Sequence, residues 1–163
     1  MPNPVVVERA EQPYVFMRRR VGADGFGELA DLIPELAGWL DARGIGAAGA
    51  PFLRFNSVGT DGESEVEAGL PVASPPEPEG DVSVAVLPAG RYATVTHLGH
   101  PDGLLDAIKE LRRWAAQREL EWDMRETDGV ERWGCRIESY WTGPRSEPDP
   151  SRWETELAFR LAD

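Results

Sequence analysis

Apolar and polar residues alternate along Val5–Val7 and Tyr14–Arg20, two runs rich in β-branched and aromatic side chains, and this alternation predicts strands. The period then lengthens. Apolar positions 29, 32, 33, 36 and 40 fall on one helical face and predict a helix over Gly25–Arg43, closed by Gly44 as a left-handed cap. Pro34 lies inside it and is expected to shift the helix start or to kink it. Phe52–Ser57 and Glu65–Val72 read as a strand pair joined by Gly59-Thr60-Asp61-Gly62. The same order of periods then recurs. Val82–Leu87 and Arg91–Leu98 predict strands around Pro88-Ala89-Gly90, and Asp102–Glu119 a helix with Leu104, Leu105, Ile108, Leu111 and Ala115 on one face. Arg132–Trp141 and Trp153–Leu161 predict the last strands, separated by the proline-rich loop Gly143–Arg152. Ser74–Gly80 holds three prolines and reads as a stiff, solvated spacer.

The recurrence extends to the residues themselves. At a shift of 75 positions, Leu29–Arg43 and Leu104–Arg118 share seven of fifteen residues, among them Trp39/Trp114 and Arg43/Arg118. Chance would give roughly one. The expected fold class is α+β: duplicated strand–helix–strand–strand modules forming an antiparallel sheet with two helices and a central ligand cleft. The whole chain, 1–163, is expected to be one domain, with half-repeats at about 1–73 and 81–163 and a linker at 74–80.

Charge narrows the partners. Acidic residues outnumber basic ones 29 to 17, giving a net charge of −12, which repels phosphates and argues against nucleic acid while favouring cations. No apolar stretch approaches the ~20 residues that cross a bilayer, so no membrane partner is expected. MPNPVVVERAEQ has no basic stretch leading into an apolar run, which predicts no secretory signal. Cys135 is the single cysteine, so the expected compartment is the cytoplasm. His97 and His100 lack further ligands at suitable spacing, and no metal is expected. Gly44–Gly49 matches GxGxxG but follows a helix and precedes a strand, the reverse of the nucleotide-binding order, so no cofactor is expected.

The segment Trp133–Trp141 carries the chemistry. Strand alternation separates Cys135, Ile137, Ser139 and Trp141, expected to pack under a helix, from Arg136, Glu138 and Tyr140. Neighbours on one strand face lie roughly 6–7 Å apart. If the second set lines a cleft, Glu138 and Tyr140 suit an organic cation. If it lies at a wet surface, Arg136 pairs with Glu138. The residues alone leave both readings open. Trp39 and Trp114 are either core or flat walls for a ligand, with Phe55, Tyr92, Trp133 and Trp141 as further candidates.

Several stretches resemble the GyrI-like (gyrase-inhibitor-like) small-molecule-binding domains, which also occur as effector-binding domains of multidrug-responsive transcription regulators. These are Glu67–Val72, Leu87–Ala93, His97-Leu98-Gly99, Ile137–Tyr140 with Pro144 after it, and Glu154–Leu157. His100-Pro101-Asp102 departs from the proline and aromatic that often follow in the family. The resemblance implies a cleft with an acidic residue, which matches Glu138, and partners that are lipophilic cationic small molecules. It also implies an alternative, hydrolysis of electrophilic cyclopropane-containing natural products, with Glu138 and Tyr140 as the catalytic pair. A second alternative is an acidic protein-interaction module, whose protein partner the residues do not identify.

Overall fold

The computed structural model describes residues 3–22, 24–142 and 147–163. Pro144 lies outside them. The chain runs β1 (Val5–Arg9), β2 (Gln12–Val21), α1 (Phe26–Asp41), β3 (Phe52–Gly59), β4 (Ser64–Pro71), β5 (Ser83–Leu87) and β6 (Gly90–Leu98). A short 3-10 turn, Pro101–Gly103, leads into α2 (Leu104–Gln117). Then come β7 (Met124–Thr127), β8 (Val130–Trp133), β9 (Arg136–Tyr140) and β10 (Glu154–Arg160). Among the described residues the strands form one antiparallel sheet in the order β1-β6-β10-β9-β3-β4-β2-β5, with β8 on the far end of β3 and β7 beyond it.

Cross-strand partners project to the same face, so register shows what each face buries. One row, Met17-Ala68-Leu53-Glu138-Leu157-Val95, crosses six strands, with Glu138 as its charged member. Met17, Ala68 and Leu53 pack with Leu29, Leu32, Leu36 and Leu40 of α1. Leu157 and Val95 pack with Leu104, Ile108 and Leu111 of α2. Both helices therefore cover one face, and β9 lies at the seam between their clusters. On the other face Tyr14, Phe16, Phe52, Tyr92, Cys135 and Ile137 form a third cluster, joined by Val7 of β1 and Ala85 of β5. Strands from opposite edges meeting in one cluster mean that the sheet curls toward that face as a half-barrel.

This corrects one expectation. Cys135, Ile137 and Ser139 face the inside of the curl, whereas Arg136, Glu138 and Tyr140 share the helices' face. With the sheet buried on both sides, apolarity no longer marks the side that carries helices.

Two helix ends explain why the repeat extends as far as it does. After α1, Ile45 N donates to Leu40 O and Gly44 N to Asp41 O, the paired bonds of a Schellman cap, with Gly44 at φ +68. After α2, Leu120 N donates to Ala115 O and Glu119 N to Ala116 O, with Glu119 at φ +57. Gly44 and Glu119 stand 75 positions apart, the same shift as the helical identities. Pro34 does not delay α1, which runs through it from Phe26. The linker is exposed but not detached, since Glu79 pairs with Arg43 and Asp81 with Arg19.

Candidate functional site

The central strand β9 aims Arg136, Glu138 and Tyr140 at the seam between the helices. Its bend is set just before it, where β8 ends and Gly134 N bonds Asp123 O. A Cβ at Gly134 would overlap the Asp123 carboxylate, so any other residue there would push that side chain aside.

Glu138 is 6% exposed and sits between Leu53 and Leu157. Tyr140 O–H donates to its Oε2 at 2.9 Å, and no other hydrogen bond to its carboxylate is formed among the described residues. Burial pushes the carboxyl above its ordinary range, against the Tyr140 hydrogen bond and the positive charge of Arg136. Burial and then Glu138 itself push the Tyr140 phenol well above its usual value, so it remains a donor at neutral pH. Thr155, opposite Tyr140, is buried on the same face.

Arg136 attracts Glu138, but among the described residues the two form no ion pair. The Arg136 guanidinium approaches Glu131 Oε1 at 3.8 Å, while its carbon lies 4.6 Å from the Phe159 ring centre, 5.2 Å from Trp133 and 5.4 Å from Phe55. Glu131 is already engaged: Arg112 donates to both its oxygens at 3.2 and 3.0 Å, and Trp133 Nε1 to one at 3.3 Å. Burial opposes ionisation of Glu131, but these donors outweigh it and hold its carboxyl below the usual range. Burial pulls Arg136 down to about 10, against the attraction of Glu138 and Glu131, which leaves it charged at pH 7.

A second buried carboxylate shows what a satisfied one looks like. On the inside of the curl, Glu67 accepts from Tyr14 O–H at one oxygen and from Asn56 Nδ2 at 2.7 Å at the other. Arg54 donates to the Tyr14 oxygen at 2.8 Å and to Gly134 O at 2.7 Å. Both oxygens of Glu67 are answered and a cation stands behind its partner, as in a structural network.

The aromatic candidates divide by face. Phe55 and Trp133 lie with Glu138 and Tyr140 on the helix side. Tyr92 and Trp141 line a depression of about 390 Å³ on the opposite side, together with Phe52 and Ile137. Trp39 and Trp114 sit half-buried at the edges of the α1 and α2 clusters. Each is covered by the arginine one turn on, Arg43 at 3.7 Å and Arg118 at 4.4 Å from the ring centres. Phe159 and Glu131 were not singled out in the sequence, and Thr155 entered only within the stretch Glu154–Leu157; strand pairing brings them near β9. His97 Nε2 contacts His100 O at 3.0 Å, a turn contact. Among the described residues no three metal-binding side chains converge.

Residues 2–162 match the GyrI-like small molecule binding domain. The chain belongs to the GyrI-like family. No curated protein matches it significantly. Among solved structures it is similar to the EcmrR C-terminal domain, at 23% identity and TM-score 0.81, covering 100% of this chain and 99% of that one. It is also similar to the longer EcmrR chain in a DNA complex, at 22% identity and TM-score 0.80, covering 99% of this chain and 58% of that chain. SAV2435, solved bound to tetraphenylphosphonium, matches at 10% identity and TM-score 0.65, with 98% and 94% coverage.

The motifs of this GyrI-like chain now have physical roles. Gly69 follows Glu67 where a Cβ would come within 2.7 Å of the Phe52 ring. Gly90 takes φ +150 and Gly99 φ +126, both left-handed-side conformations that glycine accommodates.

Proposed function

We propose that the chain binds lipophilic organic cations on the helix-bearing face of the sheet, with Glu138 as the recognising carboxylate. The observation that carries this is a carboxylate more than nine-tenths buried, given one hydrogen bond by Tyr140 and paired with no cation among the described residues. Such a group is costly to leave charged and unpaired, and a bound organic cation removes that cost. The solved complex of SAV2435 with tetraphenylphosphonium supports the ligand class. The net charge of −12 favours a cation and disfavours nucleic acid as a direct partner. Among the described residues no helix is long and apolar enough to cross a membrane, in keeping with a cytoplasmic role in sensing or sequestering such compounds.

Intrinsic tryptophan fluorescence, titrated with tetraphenylphosphonium and with its anionic isostere tetraphenylborate, tests the proposal. Tight binding of the cation alone, persisting at 0.5 M salt, is expected because buried pairs escape screening. Equal affinity for the two ions refutes the electrostatic part.

A second reading is favoured by one detail. A buried acid held above its ordinary range beside a phenol is a plausible general acid or base, and one similar structure is described as a hydrolase from Listeria innocua, at 12% identity and TM-score 0.63, with 98% and 91% coverage. In this reading Glu138 handles the proton of an attacking water on an electrophilic substrate. Loss of turnover at saturating substrate in Glu138→Gln would support it.

A further inference from the structure

Arg136 poses the same question as Glu138, with opposite sign. It is 7% exposed, and its Nε is buried with no acceptor among the described residues. Its one polar contact among the described residues, 3.8 Å to Glu131, lies beyond hydrogen-bond range, on a carboxylate that Arg112 and Trp133 already occupy. Phe55, Trp133 and Phe159 take up the guanidinium's apolar surroundings but accept no conventional hydrogen bond. A guanidinium this deep normally donates to several oxygens.

Arg136 and Glu138 project from the same face of β9, two residues apart, a spacing of roughly 6–7 Å. Among the described residues neither buried charge has a hydrogen-bonded counter-ion, and the two attract each other without forming an ion pair. A ligand carrying only a cation would answer Glu138 and set a second positive charge beside an unanswered guanidinium. A ligand carrying a cation and an anionic acceptor would answer both, the acceptor meeting the in-plane N–H groups as carboxylates do in arginine pairs.

We infer that the ligand class of this site is dipolar: a lipophilic organic cation that also bears a carboxylate or comparable anionic acceptor, with Arg136 as the residue that selects for the second group. This rests on the cation-binding reading of Glu138 and names its ligand more closely.

Tetramethylrhodamine and tetramethylrosamine share one xanthylium cation and differ by a carboxylate on the pendant ring. Fluorescence titration of the wild-type chain is expected to show at least tenfold tighter binding of the rhodamine. Arg136→Met should lose that preference, weakening rhodamine at least tenfold and leaving rosamine as tight or tighter. Arg136→Lys, which keeps a cation in the same place, should keep part of the preference and guards against misfolding of the methionine variant. Wild-type binding of rosamine as tight as rhodamine overturns the dipolar inference and leaves the cation proposal standing. So does an Arg136→Met variant, folded by its melting profile, that weakens both dyes equally. Failure of the wild type to bind either dye overturns both.

Discussion

Glu138 and Glu67 are the same side chain at similar depth, each hydrogen-bonded to a tyrosine, yet their surroundings predict opposite responses to loss of charge. Glu67 accepts from two donors, and Glu67→Gln would turn an amide N–H₂ toward Tyr14 or Asn56, costing about 1–3 kcal/mol in denaturant unfolding. Among the described residues Glu138 has one donor and no ion-paired cation, so Glu138→Gln should leave the ligand-free protein as stable or more so at pH 7. The pH dependence follows from the raised carboxyl. The folded state holds this proton more tightly than the unfolded chain does, so the wild type is favoured at low pH. Its stability then falls as pH rises from the ordinary carboxylate range through the folded-state value, and levels off above it. Glu138→Gln lacks this fall. Its melting temperature should exceed that of the wild type at neutral pH, with the gap closing in acid, where 1 kcal/mol corresponds to roughly 2–4 °C at this size. A gap that widens in acid would contradict the assignment. The alternation around Glu138 was readable in the sequence, but the choice between a cleft carboxylate and an Arg136 partner was not. What surrounds Arg136 bears on that choice, and the aromatic rings and Glu131 reach it only through the pairing of other strands.

At the scale of elements, the caps offer a matched pair of tests. A Cβ at Gly44 meets nothing within 4 Å, so Gly44→Ala should cost about 1 kcal/mol through backbone strain alone. Glu119→Gly, at the equivalent cap with φ +57, should stabilise by up to about 1 kcal/mol in denaturant melts. Both helices were legible because amphipathic periodicity and caps are local signals. The stretch Arg132–Trp141 was not, because its apolar and aromatic residues continue through Gly134-Cys135, where β8 ends and β9 begins. The β7–β8 hairpin was also missed, although Asp128-Gly129 is a strong hairpin signal, and both residues take positive φ, at 53 and 75. The face of β9 was misassigned for a different reason: a strand buried on both sides has no polar side to read.

For the whole molecule the sheet order reads the same under exchange of β1 with β5, β2 with β6, β3 with β9 and β4 with β10. We propose that this reflects two fused copies of one half-domain, and expect residues 13–73 to superpose on 88–162 with Trp39 on Trp114. The β7–β8 hairpin would then be an addition in the second copy. In this order β1 pairs with β6 and β5 with β2, so each half lends a strand to the other's end of the sheet. A protease nick within the exposed linker 74–80 should therefore leave two fragments that co-elute in native size exclusion. Separation without denaturant would contradict the exchange. The duplication could be read from sequence because the helices kept their residues, but the exchange of edge strands could not, since β1 and β5 carry no signal of their partner. Glu138 lies opposite Leu53 at the centre of this pseudo-symmetry, so the proposed site breaks the symmetry with a single carboxylate.

Thermal melts of the wild type and Glu138→Gln at pH 7, with and without tetraphenylphosphonium, test the central claim most directly. At about 100 times its dissociation constant the cation should stabilise the wild type by roughly 2.7 kcal/mol and the variant by much less, while the ligand-free variant is no less stable than the wild type. A ligand-free variant that is less stable, yet gains as much from the cation as the wild type does, would show that Glu138 serves the fold and that the site lies elsewhere.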